Sequence, residues 1–210
     1  MKTPVNTREK VGLSPRDRIL AAASDLFYTK GIRAVSVDEI AEVAQTNKMT
    51  LYRHFQSKDL LIAEYVRALA EEADAVWPEL ARDHPSDPTA QLKAWVDVIA
   101  EKLGGPGARG CAVANAAVEI PEKDHPARTI IEAHKTRQRE NLAQVCRAAG
   151  LDDSEQLADE LFLLAEGARI NLQSVGACGP GARFRDMALA LVDTRSRGSK
   201  KTNASEPIPL

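Results

Sequence analysis

Residues 43–58 read VAQTNKMTLYRHFQSK, and in the second half of this run only Leu51 and Phe55 are large residues of core type. They stand four apart, which puts both on one face of a helix. Around them lie Lys48, Met49, Thr50, Tyr52, Arg53 and His54, a set that a buried helix would not choose. Asn47 is a good N-cap. The spacing therefore predicts a helix over 48–54, with two anchors inward and a polar, basic and aromatic face outward.

The flanking sequence builds outward from that helix. Ser36-Val37-Asp38-Glu39 is a capping box, and Ile40, Ala41 and Ala44 supply an inner face, so a second helix is expected over 37–43. Upstream, Ser14-Pro15 is a helix start, Ile19, Leu20, Ala23, Leu26 and Phe27 share a face, and Gly31 is a C-cap; this predicts 15–30. Two short helices joined by a tight turn over 44–47 have helix-turn-helix spacing. The second of such a pair enters the major groove. Lys48 and Arg53 suit guanine or phosphate, Thr50 a phosphate or base, and Met49 a thymine methyl. Tyr52 and His54 suit phosphates beside the groove. Ser36 and Lys58 stand at helix starts, where backbone N–H groups favour phosphate.

Charge points the same way. Residues 1–58 hold ten Lys/Arg against six Asp/Glu, whereas the remainder holds eighteen against twenty-four, so a net charge of −2 conceals a basic head on an acidic body. That asymmetry suits a polyanion at the N-terminal end alone.

Beyond the head, Ser57 caps a helix expected over 58–80, and RDHPSDP (82–88) is a linker. Further helices are expected over 88–103, 111–120, 125–150, 154–175 and 180–193, with GGPGARG (104–110) as a break. No strand pattern or repeat is visible. The fold class is all-α, with about nine helices: a mobile arm (1–13), a three-helix DNA-binding domain (14–58), a ligand-binding and dimerisation domain (59–193) and a disordered tail (194–210).

Other functions find little support. The chain has no GxSxG, no phosphate-binding glycine loop and no recognisable carboxylate pair, which argues against an enzyme. Cys111, Cys146 and Cys178 are widely spaced, and His54, His84, His125 and His134 form no HxxxH pattern, so neither a metal nor another cofactor is expected. No stretch approaches the ~20 apolar residues of a membrane span. A cytoplasmic protein is expected.

The segment ending in TLYRHFQSKDLL resembles the signature of the TetR family of bacterial transcriptional regulators. The shared elements are IA at 40–41, TLY at 50–52, HF at 54–55 and SK at 57–58, and RILAAASDLFYTKGIRAVSVDEIA resembles the first two helices of that module. The resemblance covers about residues 14–65. Two positions depart from it: Gln45 in the turn and Met49 before TLY, both often glycine in the family.

The resemblance implies a homodimeric, ligand-responsive regulator of double-stranded operator DNA, most simply a repressor released by a small-molecule inducer. An activator, or a helical module whose basic face binds another protein, is the alternative. The last two helices would pair between subunits, placing Leu157, Leu161, Leu164, Ala168, Leu172 and Val175 at the dimer interface. An inducer pocket among the middle helices would draw on Trp95, Cys111, Asn115, Glu119, His134, Arg137, Arg169 and Asn171, candidates chosen by position. Asn115 comes first, as an amide in an otherwise small, apolar segment.

Overall fold

Side-chain caps start the helices of the N-terminal head. Ser14 Oγ accepts from Asp17 N at 3.2 Å, Ser36 Oγ from Glu39 N at 3.1 Å, and Asn47 Oδ1 from Thr50 N at 2.8 Å. Each satisfies an N–H group that has no partner inside its own helix. A computed structural model describes residues 12–103, 110–176 and 178–202 of the chain. Among them are ten α-helices and no strand: α1 (Pro15–Lys30), α2 (Val37–Val43), α3 (Lys48–Phe55), α4 (Lys58–Asp74), α5 (Val76–Asp83), α6 (Pro88–Leu103), α7 (Ala112–Glu119), α8 (Pro126–Ala148), α9 (Ser154–Val175) and α10 (Phe184–Thr202). A 3₁₀ turn over Pro180–Arg183 precedes α10.

The architecture is all-α as expected, with two differences in the elements. The single helix expected over 58–80 is two, α4 and α5. Proline 78 explains the break: in a continuous helix its ring would collide with the carbonyl of Asp74, whereas in the first turn of α5 it needs no N–H partner. At the other end, α10 continues to Thr202, past the start of the tail expected at 194. Arg195 fastens this extension by pairing with Asp153 at 2.8 Å and Glu160 at 3.0 Å. Most of the arm (1–11), most of the 104–110 break and the end of the tail (203–210) lie outside the described residues.

The chain forms two compact units, one of Met1–Ala73 with Cys111–His134, the other of Asp74–Gly110 with Lys135–Leu210. In the first, Ile19, Phe27, Ile40, Leu51, Phe55, Leu61 and Val66 share a core with Val113, Ala116 and Ile131 from α7 and α8. In the second, Trp95 stacks on Trp77 with ring centroids 6.2 Å apart and meets the edge of Phe184 at 6.4 Å. Leu92, Leu142, Leu157, Leu161 and Val192 complete that core.

The turn between α2 and α3 closes by a Schellman motif, with Thr46 N donating to Ala41 O at 2.9 Å and Gln45 N to Glu42 O at 3.0 Å. This geometry holds Gln45 at φ 51°. A side chain in that region costs about 1 kcal/mol relative to glycine. Arg18 Nε donates to Ala44 O at 3.2 Å and helps to hold the turn against α1.

A second tie joins the α1–α2 loop to α7. One oxygen of the Glu119 carboxylate accepts from Ile32 N at 2.6 Å and Arg33 N at 3.2 Å, while Arg33 Nε donates to the Glu119 carbonyl at 2.9 Å. Gly31, at φ 92°, makes room for it: a Cβ there would stand 3.0 Å from the carboxylate. On the other side of the same peptide, Lys58 Nζ donates to Ile32 O at 2.8 Å. Burial lowers the Lys58 pKa, and the nearby Asp59 and Glu119 partly offset that.

Two stability predictions arise from these loops. Gln45→Gly should stabilise the protein by roughly 0.5–1 kcal/mol, read as a higher urea midpoint at unchanged slope; a lower midpoint would mean that the Gln45 side chain holds the turn. Glu119→Ala should cost about 2 kcal/mol, because it strands two backbone donors at once. Glu119→Gln, which keeps an acceptor, should cost less, and wild-type stability of both variants would refute the tie.

Candidate nucleic-acid interface

Helix α3 is short, and its orientation rests on two side chains. Leu51 is fully buried and Phe55 nearly so, whereas Met49 is 83% exposed and Tyr52 39%. Lys48 and Arg53 are exposed, and Thr50 and His54 are half-buried. The structure thus brings Lys48, Met49, Thr50, Tyr52 and Arg53 together on and around the solvent side of one helix. Lys48 Nζ lies 3.2 Å from Asp38 of α2 in an exposed pair. Such a pair is weak enough for a phosphate to displace.

The remaining three candidates sit differently. Ser36 is exposed, and its oxygen caps α2. The Nε2 of His54 is buried with no hydrogen-bond partner. Lys58 points into the α1–α2 loop, where its ammonium holds Ile32. Along the same edge, Lys30 Nζ meets the Glu39 carboxylate at 2.5 Å, a contact that holds Glu39 below the usual carboxylate range.

The pocket candidates divide between the two units. Cys111, Asn115, Glu119 and His134 belong to the first, and Trp95, Arg137, Arg169 and Asn171 to the second. Several are engaged within their own unit. Trp95 is a core residue, and Glu119 ties the head. Arg137 Nε meets Asp74 at 2.7 Å, and Asn171 Oδ1 accepts from Gly181 N at 2.9 Å. Arg169 pairs with Glu166, which also meets Lys135 at 2.8 Å. Burial pushes the Glu166 carboxyl up, but these two cations outweigh it and leave the group below its ordinary value. His134 is 1% exposed. Cys111 and Asn115 are half-buried at the start and middle of α7.

On α9 the expected dimer stripe turns inward. Leu157, Leu161 and Ala168 are at most 5% exposed and fill the core of their own unit, so they are not available to a second chain. Leu164 and Leu172 are half-buried, and Val175 is 63% exposed. The face left open carries Leu163 at 68% and Ile170 at 59% exposure, seven residues apart, with Gly167 between them. On α10, which packs against α9, Met187 is 49% exposed. The seven-residue spacing was visible in the sequence, but the stronger leucine pattern one position away masked it. Glu119 carried no comparable signal, since its partners lie 86 and 87 residues away.

Comparison with known proteins places this head. The family model described as bacterial regulatory proteins, tetR family, matches residues 19–65. The HTH-type transcriptional regulator EthR of Mycolicibacterium smegmatis is 28% identical over 104 residues, which cover 50% of this chain and 48% of that protein. The match thus spans about half the length of that relative. Solved structures align over more of the chain. A TetR-family transcriptional regulator from Streptomyces coelicolor, SCO4454, is 28% identical with a TM-score of 0.75, covering 88% of this chain and 95% of that one. A TetR-type regulator from Streptomyces avermitilis, at 23% identity, shares the fold with a TM-score of 0.74 over 88% of this chain and 99% of its own. With a helix-turn-helix head that matches the tetR family model over residues 19–65, the chain is similar in sequence and fold to TetR-family bacterial transcriptional regulators.

Proposed function

We propose that the protein is a ligand-responsive transcriptional regulator that binds a palindromic operator as a homodimer and represses until a small molecule releases it. The observation that carries the reading is the outward face of α3. Met49, Tyr52 and Arg53 stand exposed on a helix whose other side is locked by Leu51 and Phe55. Lys48 and Arg53 supply the donors, Met49 an apolar contact for a thymine methyl, and Tyr52 a hydroxyl for phosphate. Ser36 stands at the start of α2, where it adds a backbone contact.

A palindromic site needs two such heads about one helical turn apart. The second copy is proposed to dock on the α9–α10 face, where Leu163 and Ile170 leave an apolar stripe with a glycine at its centre. A small residue at that position lets two helices approach closely. A dimer bound across a promoter would exclude polymerase. A ligand that favours a different arrangement of the heads would release it.

The test uses the DNA upstream of the protein's own gene in a gel-shift titration. Wild type should retard it at low salt, and Tyr52→Ala and Arg53→Ala should each weaken binding roughly 5–100-fold per head, the scale of losing about 1–3 kcal/mol of contact. Wild-type affinity in both variants would sink the reading, and failure of any DNA to bind would favour a protein partner for the basic face. Deleting the gene should raise transcription of its target; a fall would make the protein an activator.

Leu163→Glu with Ile170→Glu should turn a dimer into a folded monomer in analytical ultracentrifugation, and an unchanged dimer would place the interface elsewhere.

A further inference from the structure

The first unit contains a cleft of about 460 Å³, walled by α1, the end of α3, α4 and the start of α8. Its apolar surface comes from Phe55, Leu60, Ala63 and Ile130, and its charged side chains are two arginines, Arg16 and Arg67, against one carboxylate, Glu64. Arg16 lies 2.6 Å from Glu64, and its guanidinium sits over the Phe55 ring, 5.1 Å from the centroid. Arg67 Nε meets the same Glu64 at 3.3 Å. Two guanidiniums therefore share one carboxylate, which leaves an excess positive charge on the wall.

Each arginine reaches Glu64 through a single nitrogen in these contacts, and a guanidinium presents five N–H donors in a fixed fork. A second carboxylate can therefore be received without breaking the first pair. Cation–π contact with Phe55 and the pair with Glu64 hold Arg16 in place, so little ordering is needed when an anion arrives. Apolar wall, cationic rim and volume together match a small organic carboxylate with an apolar body.

We propose that this cleft binds a small organic monoanion and that its occupancy weakens DNA binding. The link to DNA is direct. His54, Phe55 and Gln56 form part of the wall, and they end the helix whose exposed face is assigned to the groove. An anion seated against them is expected to shift α3 from the position that DNA requires. The proposal rests on the DNA-binding reading given above and names a ligand class and a place for the regulation it invokes. That place belongs to the first unit, whereas Trp95, Arg137, Arg169 and Asn171 belong to the second.

The probe is 4-phenylbutyrate, with its neutral amide as control, measured by isothermal titration with full-length protein and by DNA anisotropy in the same buffer. Two variants report on the site: Arg67→Ala, which removes a cation, and Thr129→Trp, which fills the cleft from an exposed position on α8. The acid should bind wild type, the amide at least tenfold more weakly, and the acid should lower DNA affinity about tenfold, within the usual span of coupling between sites. Both variants should bind DNA normally without the acid, bind the acid at least tenfold more weakly, and show no loss of DNA affinity at acid concentrations that act on wild type. Equal binding of acid and amide, acid binding unchanged in both variants, or no acid binding at all would each overturn the proposal. Wild-type DNA affinity measured before the acid is added tests the DNA-binding reading separately.

Discussion

Everything proposed for this protein depends on the burial of two side chains four residues apart. Leu51 and Phe55 reach into a core built from α1, α2 and α4, and their burial fixes the rotation of α3 about its own axis. Each buried side chain of this size is worth roughly 1.5–3 kcal/mol, which is large for an eight-residue helix with little intrinsic stability. The helix exists because the core holds it, and its outer surface is thereby released from structural duty. That freedom is what leaves Lys48, Met49, Tyr52 and Arg53 available for the proposed contact with DNA.

The loops around α3 carry two different compromises. Gln45 accepts a backbone conformation suited to glycine, so the turn that sets the angle between α2 and α3 holds some strain. The α1–α2 loop is held from both sides, its Ile32 N–H by Glu119 and its Ile32 carbonyl by Lys58. One turn is strained and the other firmly tied. Lys58 shows how a residue at the start of a helix, a natural place for phosphate, is used to hold the loop before any phosphate arrives. Among the cysteines, Cys146 lies in the core of the second unit. Burial pushes the Cys146 thiol up to about 11, which keeps it protonated and unreactive.

How much of this was legible in the sequence follows the range of each interaction. The caps at Ser14, Ser36 and Asn47 act within three residues, and all three form as read. The inward pair on α3 was also readable, because a four-residue spacing has one meaning on a helix. The expectation of one helix over 58–80 missed the break that Pro78 imposes between two helices, because the apolar pattern runs on across it. The tie from Glu119 to Ile32 could not be read, since no local pattern relates positions 87 residues apart. The α9 stripe was only partly legible for a different reason: α9 has apolar residues on more than one face. Periodicity shows that Leu157 and Leu161 face together, but only packing shows that they face their own core while Leu163 and Ile170 face out.

The central claim, that the outward face of α3 contacts DNA, makes a demand on salt. A basic surface that replaces counterions along a duplex must lose affinity steeply as salt rises. The direct measurement is fluorescence anisotropy of the protein with a labelled duplex from its own upstream region, across 50–200 mM salt. Roughly six or more phosphate contacts in a dimer predict a loss of at least about 10³-fold in affinity over that range. Affinity that stays flat with salt, on a protein that remains folded, would contradict it.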